Sequence, residues 1–182
     1  ITEFDAEFAY SSTPRLSPFA YLRAKTKNTT EYPLLPGESN VFLDGSFVAK
    51  ASLANIAPGE EFVTSLGVDE ALKVEHKFIR QNQKEEGVIS KRTKMVYEHE
   101  FKIFNRRKTD EVLLIHDHVP VSTHEDIVVQ LAEAKDLTKG GVPVKSKDGM
   151  LEWRLSIAAG EKITLPFAFT VEYPRDKSVV GL

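Results

Sequence analysis

Cysteine is absent from the 182 residues. That absence excludes disulfide scaffolds, thiolate metal centres and cysteine nucleophiles, and it leaves the redox compartment undecided. Long apolar runs are missing too: none approaches the ~20 residues a membrane helix needs, so no membrane span is expected. Excess positive charge is lacking, with a formal net charge of -3 and a pI of about 6.0. A nucleic-acid binder shows a basic domain or stripe, so no nucleic-acid partner is expected. No signal-peptide pattern opens the chain. It starts at Ile1 without methionine, in strand-like sequence, and the expectation is a fragment of a longer protein. Cytoplasmic location is slightly favoured, with secretion the alternative because Asn28-Thr29-Thr30 is an acceptor sequon. The other reading of that triplet is a polar turn ahead of Tyr32-Pro33.

Catalytic signatures are also missing. There is no G-x-S-x-G elbow, no G-x-G-x-x-G and no phosphate loop. Ser46 follows Gly45, but in a turn with no helix behind it. No cofactor and no catalytic residue are expected, and the chain is not expected to be an enzyme.

What is present is enough apolar material for a core, 41% hydrophobic against 28% charged residues, arranged with a period of two. Ile163, Leu165, Phe167, Phe169, Val171 and Tyr173 alternate with polar or small residues, as in a half-buried strand whose side chains point to opposite faces. Leu151, Trp153, Leu155 and Ile157 repeat the pattern, as do Tyr97, His99, Phe101 and Ile103. Pro166 has no N–H for a ladder and predicts an edge position or a bulge. Ala159-Gly160 predicts a hairpin between the last two strands. Residues 112–115 and 127–131 add two strands. In the first half, residues 4–10, 19–26, 40–43, 47–50, 61–66 and 73–79 read as strands. Asp44-Gly45 is the clearest hairpin turn. Residues 69–72 and 131–137 are candidates for short helical turns. Pro36-Gly37-Glu38, Pro58-Gly59-Glu60 and Ala159-Gly160-Glu161 each precede a strand; their unequal spacing favours ordinary turn chemistry over a repeat. The polar stretch 81–87 marks either a domain junction or the tip of a long hairpin. The predicted architecture is all-β, in two β-sandwich-like units: residues 1–83, and an immunoglobulin-like sandwich over 88–182.

Few residues are candidates for chemistry. His116-Asp117-His118, with His124 downstream, places two imidazoles on one strand face, a start for a zinc site. The stretch stands beside Pro120 at a strand end, where polar residues meet solvent, and no metal is expected there. Glu98 and Glu100 share a face opposite Phe101 and read as solvated. Lys91-Arg92-Thr93-Lys94 and Arg106-Arg107-Lys108 are flanked by acidic residues and read as solvated strand ends. Trp153, the only tryptophan, alternates inward. Tyr32 is left as the candidate ring for a ligand. The expected function is a non-catalytic binding or structural module holding a protein partner or another copy of itself. The alternative is a carbohydrate-binding, lectin-like sandwich.

Several stretches resemble the C-terminal domain of the mucoidy inhibitor A-like proteins, a family of unassigned function. They are Phe19-Ala20-Tyr21-Leu22-Arg23-Ala24, Tyr32-Pro33-Leu34-Leu35-Pro36-Gly37, Val41-Phe42-Leu43-Asp44-Gly45, Ile56-Ala57-Pro58-Gly59-Glu60 and Leu66-Gly67-Val68-Asp69. Phe104-Asn105-Arg106-Arg107, Asp117-His118-Val119-Pro120, Leu151-Glu152-Trp153 and Val171-Glu172-Tyr173-Pro174 continue the series in order. The resemblance implies a longer parent protein, with an N-terminal domain and a coiled-coil-like stretch ahead of this region. It supplies no catalytic residue, and its shared positions are mostly turn formers and core residues.

Overall fold

A computed structural model describes residues 2–43, 45–85, 92–132, 143–176 and 179. The described residues contain no helix. The strands are β1 (Ala6–Ser12), β2 (Phe19–Lys27), β3 (Gly37–Leu43), β4 (Ser46–Leu53), β5 (Glu61–Glu85), β6 (Arg92–Asn105), β7 (Glu111–His118), β8 (Val128–Leu131), β9 (Val144–Lys145), β10 (Met150–Ile157) and β11 (Lys162–Pro174). Nine of them form one sheet in the order β8-β11-β6-β5-β2-β1-β7-β10-β9, and β3 and β4 form a separate hairpin. The chain is therefore all-β.

The large sheet is folded over on itself. Trp153 on β10 and Phe101 on β6 are separated by five strand spacings along the sheet, about 24 Å if it were flat. Their ring centroids are 5.5 Å apart. Trp153 also meets Phe167 of β11 at 5.2 Å. The β11–β6 side thus lies face to face with the β7–β10 side, and the two inner faces make a sandwich-like core. The inward alternation supplies that core directly: Phe101, Ile103, Leu113, Ile115, Leu151, Trp153, Ile157, Leu165 and Val171 are nearly or fully buried, and Tyr10, Ala20, Leu72 and Val74 of the first half join the same cluster.

Strands from both halves share this sheet. β1 runs parallel to β7, pairing Tyr10 with Leu113, and β5 pairs with β2 through Lys73 and with β6 from Leu72 onward. The expected division between residues 83 and 88 falls at the connection of the β5–β6 hairpin. Residues 81–85 are hairpin arm, opposite 93–97. The expected turn at 69–72 is also strand, inside β5. What breaks regularity there is a bulge: the register against β2 shifts between Phe19, opposite Lys73, and Ala20, opposite Asp69, and a second shift, between Tyr21 and Arg23, lies beside Gly67 at φ 95°. The bulge presents Asp69 to the Tyr10 hydroxyl, which donates to it at 2.7 Å. Residues 133–142, including most of the second expected turn, lie outside the described residues.

Pro166 pairs with Glu100 on β6, while among the described residues β8 covers β11 only at 169–172. Among those residues its missing N–H falls where β11 has one neighbour, an edge-like position of the kind the residue requires. The hairpin expected at Ala159-Gly160 does not form. β10 pairs with β7 and β9, β11 with β6 and β8, so the link crosses between the two facing layers.

The crossing is held by a device that occurs twice. Asn105, fully buried, donates through its amide to the carbonyls of Thr109 (3.0 Å), Ile157 (3.3 Å) and Ala158 (3.0 Å), and its Oδ1 accepts from the Arg107 N–H. Asn28, also fully buried, donates to the carbonyls of Tyr32 (2.9 Å) and Ile56 (3.2 Å), and its Oδ1 accepts from the Thr30 N–H. The turns they grip match as well. Glu60 accepts from the Ala57 N–H and Glu161 from the Ala158 N–H, and Gly59 and Gly160 both have positive φ. The strands leaving each clamp pair in one register, Lys27 with Glu61 and Phe104 with Lys162. Two of the three X-Gly-Glu turns are thus parts of one repeated hydrogen-bonded plan. The third is not, since Gly37 opens β3.

Candidate functional site

The side chains singled out by sequence separate in space. His116 lies on the outer face of β7, with Nδ1 3.6 Å from a Glu152 carboxylate oxygen, and burial lowers its pKa. His118 is 63% exposed, its Nδ1 3.8 Å from Asp117. His124 is in the following loop, where its Nδ1 accepts from the Asp126 N–H at 3.2 Å. Among the described residues, no three His, Asp or Glu side chains converge on a point that would hold a metal ion.

Asp117 corrects the expectation that this strand end meets solvent. It is 2% exposed and turned inward, in a 2.6 Å ion pair with Arg15. Near that pair is a cluster the sequence reading missed. His76 on β5 and His99 on β6 share a ring-nitrogen hydrogen bond of 2.9 Å. His99 stacks on Phe167 at 5.0 Å and Phe169 at 5.7 Å, with Phe78 edge-on at 5.3 Å. Burial pushes the His99 pKa down to about 4, reinforced by the positive charge of Arg15. Burial and Arg15 lower His76 as well, against the opposing pull of Asp117. The signal was present in the alternation that put His99 on the inward face with Tyr97 and Phe101. Its partner stood 23 residues away on another strand. Asp117 is held by Arg15, and the two imidazoles by each other. The cluster is a polar knot, buried at His99 and Asp117 and half-buried at His76, in which His99 Nε2 and Asp117 Oδ2 have no hydrogen-bond partner among the described residues.

The other candidates belong to the surface. Glu98 is paired with Arg80 at 2.8 Å and Glu100 with Lys102 at 3.5 Å, as a solvated face would have them. Arg92 binds Glu172, and Arg107 binds Glu111, both at 2.7 Å, so these basic residues are engaged within the chain. Lys91 lies outside the described residues. Asn28 is 0% exposed with its amide hydrogens directed to carbonyls, so the sequon is not open to modification in the folded domain. Tyr32 is 74% exposed. Its backbone is pinned, because its carbonyl accepts from both Asn28 and Thr30.

Between the Asn28 clamp and its matching turn at Ile56 the chain inserts the β3–β4 hairpin. The hairpin turns at Gly45, φ 76°, as Asp44-Gly45 predicts; Asp44 itself lies outside the described residues. Phe42 and Phe47 are cross-strand partners, their rings edge-to-face at 5.7 Å. They remain 60% and 56% exposed. Beside the hairpin runs a groove of about 360 Å³ between β4 and β5, lined by residues 51–56 and 62–65 with Ser39 and Glu60.

These features define a class, an all-β domain built on one folded-over sheet with an appended hairpin that carries exposed aromatic rings. Residues 7–175 match DUF4139, a domain of unknown function, and the chain belongs to that family. It is similar to Protein F37C4.5 of Caenorhabditis elegans, with 29% identity over 182 residues. The match covers 96% of this chain and 33% of that protein, so the chain spans about a third of the curated relative. No solved structure matches. No helix among the described residues is long and apolar enough to cross a membrane.

Proposed function

We propose that this domain is a non-catalytic interaction module that holds a partner protein or a second copy of itself, and that it is the C-terminal domain of a mucoidy inhibitor A-like protein. The single observation that carries the interaction reading is the exposed Phe42–Phe47 pair on a hairpin outside the main sheet. Burying a phenylalanine side chain is worth about 1.5–3 kcal/mol, and here two adjacent rings forgo most of that. Aromatic residues are enriched in the cores of protein interfaces, and clustered exposed apolar surface marks them. The non-catalytic part is supported by the pairings of Asp117 with Arg15 and of His76 with His99. The finer family tie is supported by the match over residues 7–175.

The test combines sedimentation with site-specific cross-linking. A photoreactive residue replaces Val48, the exposed residue that follows Phe47 in β4. The expected result is either concentration-dependent dimerisation of the purified chain or one discrete cross-linked partner in cells of origin. Both must be lost in the F42S/F47S double variant. A chain that remains monomeric at high concentration and gives no discrete adduct refutes the proposal.

A further inference from the structure

The groove between β4 and β5 has an unusual lining. A depression over a sheet face is lined by every second residue of each strand, because side chains alternate. This one is lined by consecutive residues, 51–54 on one wall and 62–65 on the other. Consecutive lining means that the walls are strand edges. β4 uses its other edge to pair with β3, and β5 uses its other edge over this stretch to pair with β2. Among the described residues, neither strand has a ladder partner on the groove side. Peptide groups in an antiparallel strand point alternately to its two sides, so both walls turn unpaired N–H and C=O groups into the groove.

The side chains fit the same ligand chemistry. Ser52, Thr64 and Ser65 contribute hydroxyls and Phe62 a half-buried ring. The one charged residue in the lining, Glu60, accepts a hydrogen bond from the Ala57 N–H at 2.7 Å. The lining therefore offers main-chain pairing and little charge. The β5 wall offers four strand residues, about 13 Å, and the β4 wall three, 51–53, about 10 Å, room for a short ladder on each side.

The geometry points to an extended, uncharged segment of a partner protein inserted between β4 and β5, joining the separate hairpin to the main sheet by strand addition. This rests on the interaction reading above and names the manner of contact. Main-chain hydrogen bonds supply affinity in such complexes, and alternate side chains supply selectivity.

The probe is a set of dodecapeptides selected from a random phage-displayed library on the intact chain, then synthesised and titrated by calorimetry. Ser52→Trp and Ser65→Trp fill the groove from exposed positions that the fold tolerates. The expected result is at least a tenfold loss of affinity on each variant. N-methylation along the peptide is expected to cost tenfold or more at every second residue and little between, the signature of strand pairing. Peptides that bind both variants as well as the native chain, uniform tolerance of N-methylation, or no selectable binder overturn the insertion. Peptides that ignore both Trp variants but fail on F42S/F47S overturn it while leaving the interaction reading intact. A neutral oligosaccharide that binds the groove and is displaced by the Trp variants overturns it in favour of a sugar site.

Discussion

Replacing Asn105 with alanine removes two buried donors at once. Its amide serves the carbonyls of Thr109, Ile157 and Ala158, and its Oδ1 receives the Arg107 N–H. An unsatisfied buried polar group costs about 1–3 kcal/mol. Ala158 keeps the Glu161 N–H, so the carbonyls of Thr109 and Ile157 are the ones that lose a donor, and the loss is about 2–4 kcal/mol, a large part of the ~5–15 kcal/mol that holds a domain together. Asn105→Asp keeps the shape and the acceptor but turns a carboxylate toward those carbonyls, so it must cost at least as much as alanine. Asn28→Ala removes the matching clamp, but its two carbonyls keep other donors, the Thr30 hydroxyl at Tyr32 and the Leu34 N–H at Ile56, so it is expected to cost less, about 1–2 kcal/mol. Urea unfolding measures all three, read as a fall in midpoint at unchanged slope. Losses below ~1 kcal/mol for both alanine variants would refute the claim that paired asparagine clamps fasten the crossings.

Acid is expected to unfold the chain through the histidine knot. His99 falls from the usual 6.5 to about 4, so the unfolded chain binds the extra proton first. Its contribution is whole above pH 6.5 and is lost as pH falls toward 4, about 3 kcal/mol in all. His99→Phe should flatten that part of the stability curve, and a variant curve parallel to the native one between pH 7 and 4.5 would contradict the assignment. Arg15→Met leaves the buried Asp117 carboxylate unpaired and is expected to cost about 3–5 kcal/mol by thermal unfolding; adding Asp117→Leu should restore much of it. Gly149→Ala places a Cβ 2.5 Å from the Val119 carbonyl oxygen at φ 82°, whereas Gly45 and Gly59 have open space. Gly149→Ala is expected to lower the melting temperature well beyond Gly59→Ala, which carries only the ~1–2 kcal/mol penalty of a left-handed backbone.

Faces were legible in the sequence and partners were not. Alternation located Trp153, Phe101 and Phe167 on inner faces, since a period of two separates the sides of any strand. It does not say which strand lies beside which. The parallel pairing of Tyr10 with Leu113 and the crossing between β10 and β11 both depend on contacts far apart in sequence. The same limit hid the histidine knot: His99 was read as inward, but His76 entered no pattern. Asp117 was misread because a charged residue near a strand end is usually wet, and here Arg15 follows it inside. Asn28-Thr29-Thr30 is a sequon by its letters, which do not reveal burial; the other reading, a polar turn ahead of Tyr32-Pro33, is what the chain forms. Phe42 and Phe47 read as ordinary strand residues, since a local pattern cannot show that their hairpin stands apart from the main sheet.

The folded-over sheet is tested most directly by proton nuclear Overhauser effects from the Trp153 indole in the isotope-labelled chain. The fold predicts strong cross-peaks to the rings of Phe101 and Phe167, whose centroids lie 5.5 and 5.2 Å away. Cross-peaks confined to neighbours on β7 and β9, with none to either ring, would mean that the two layers do not face each other.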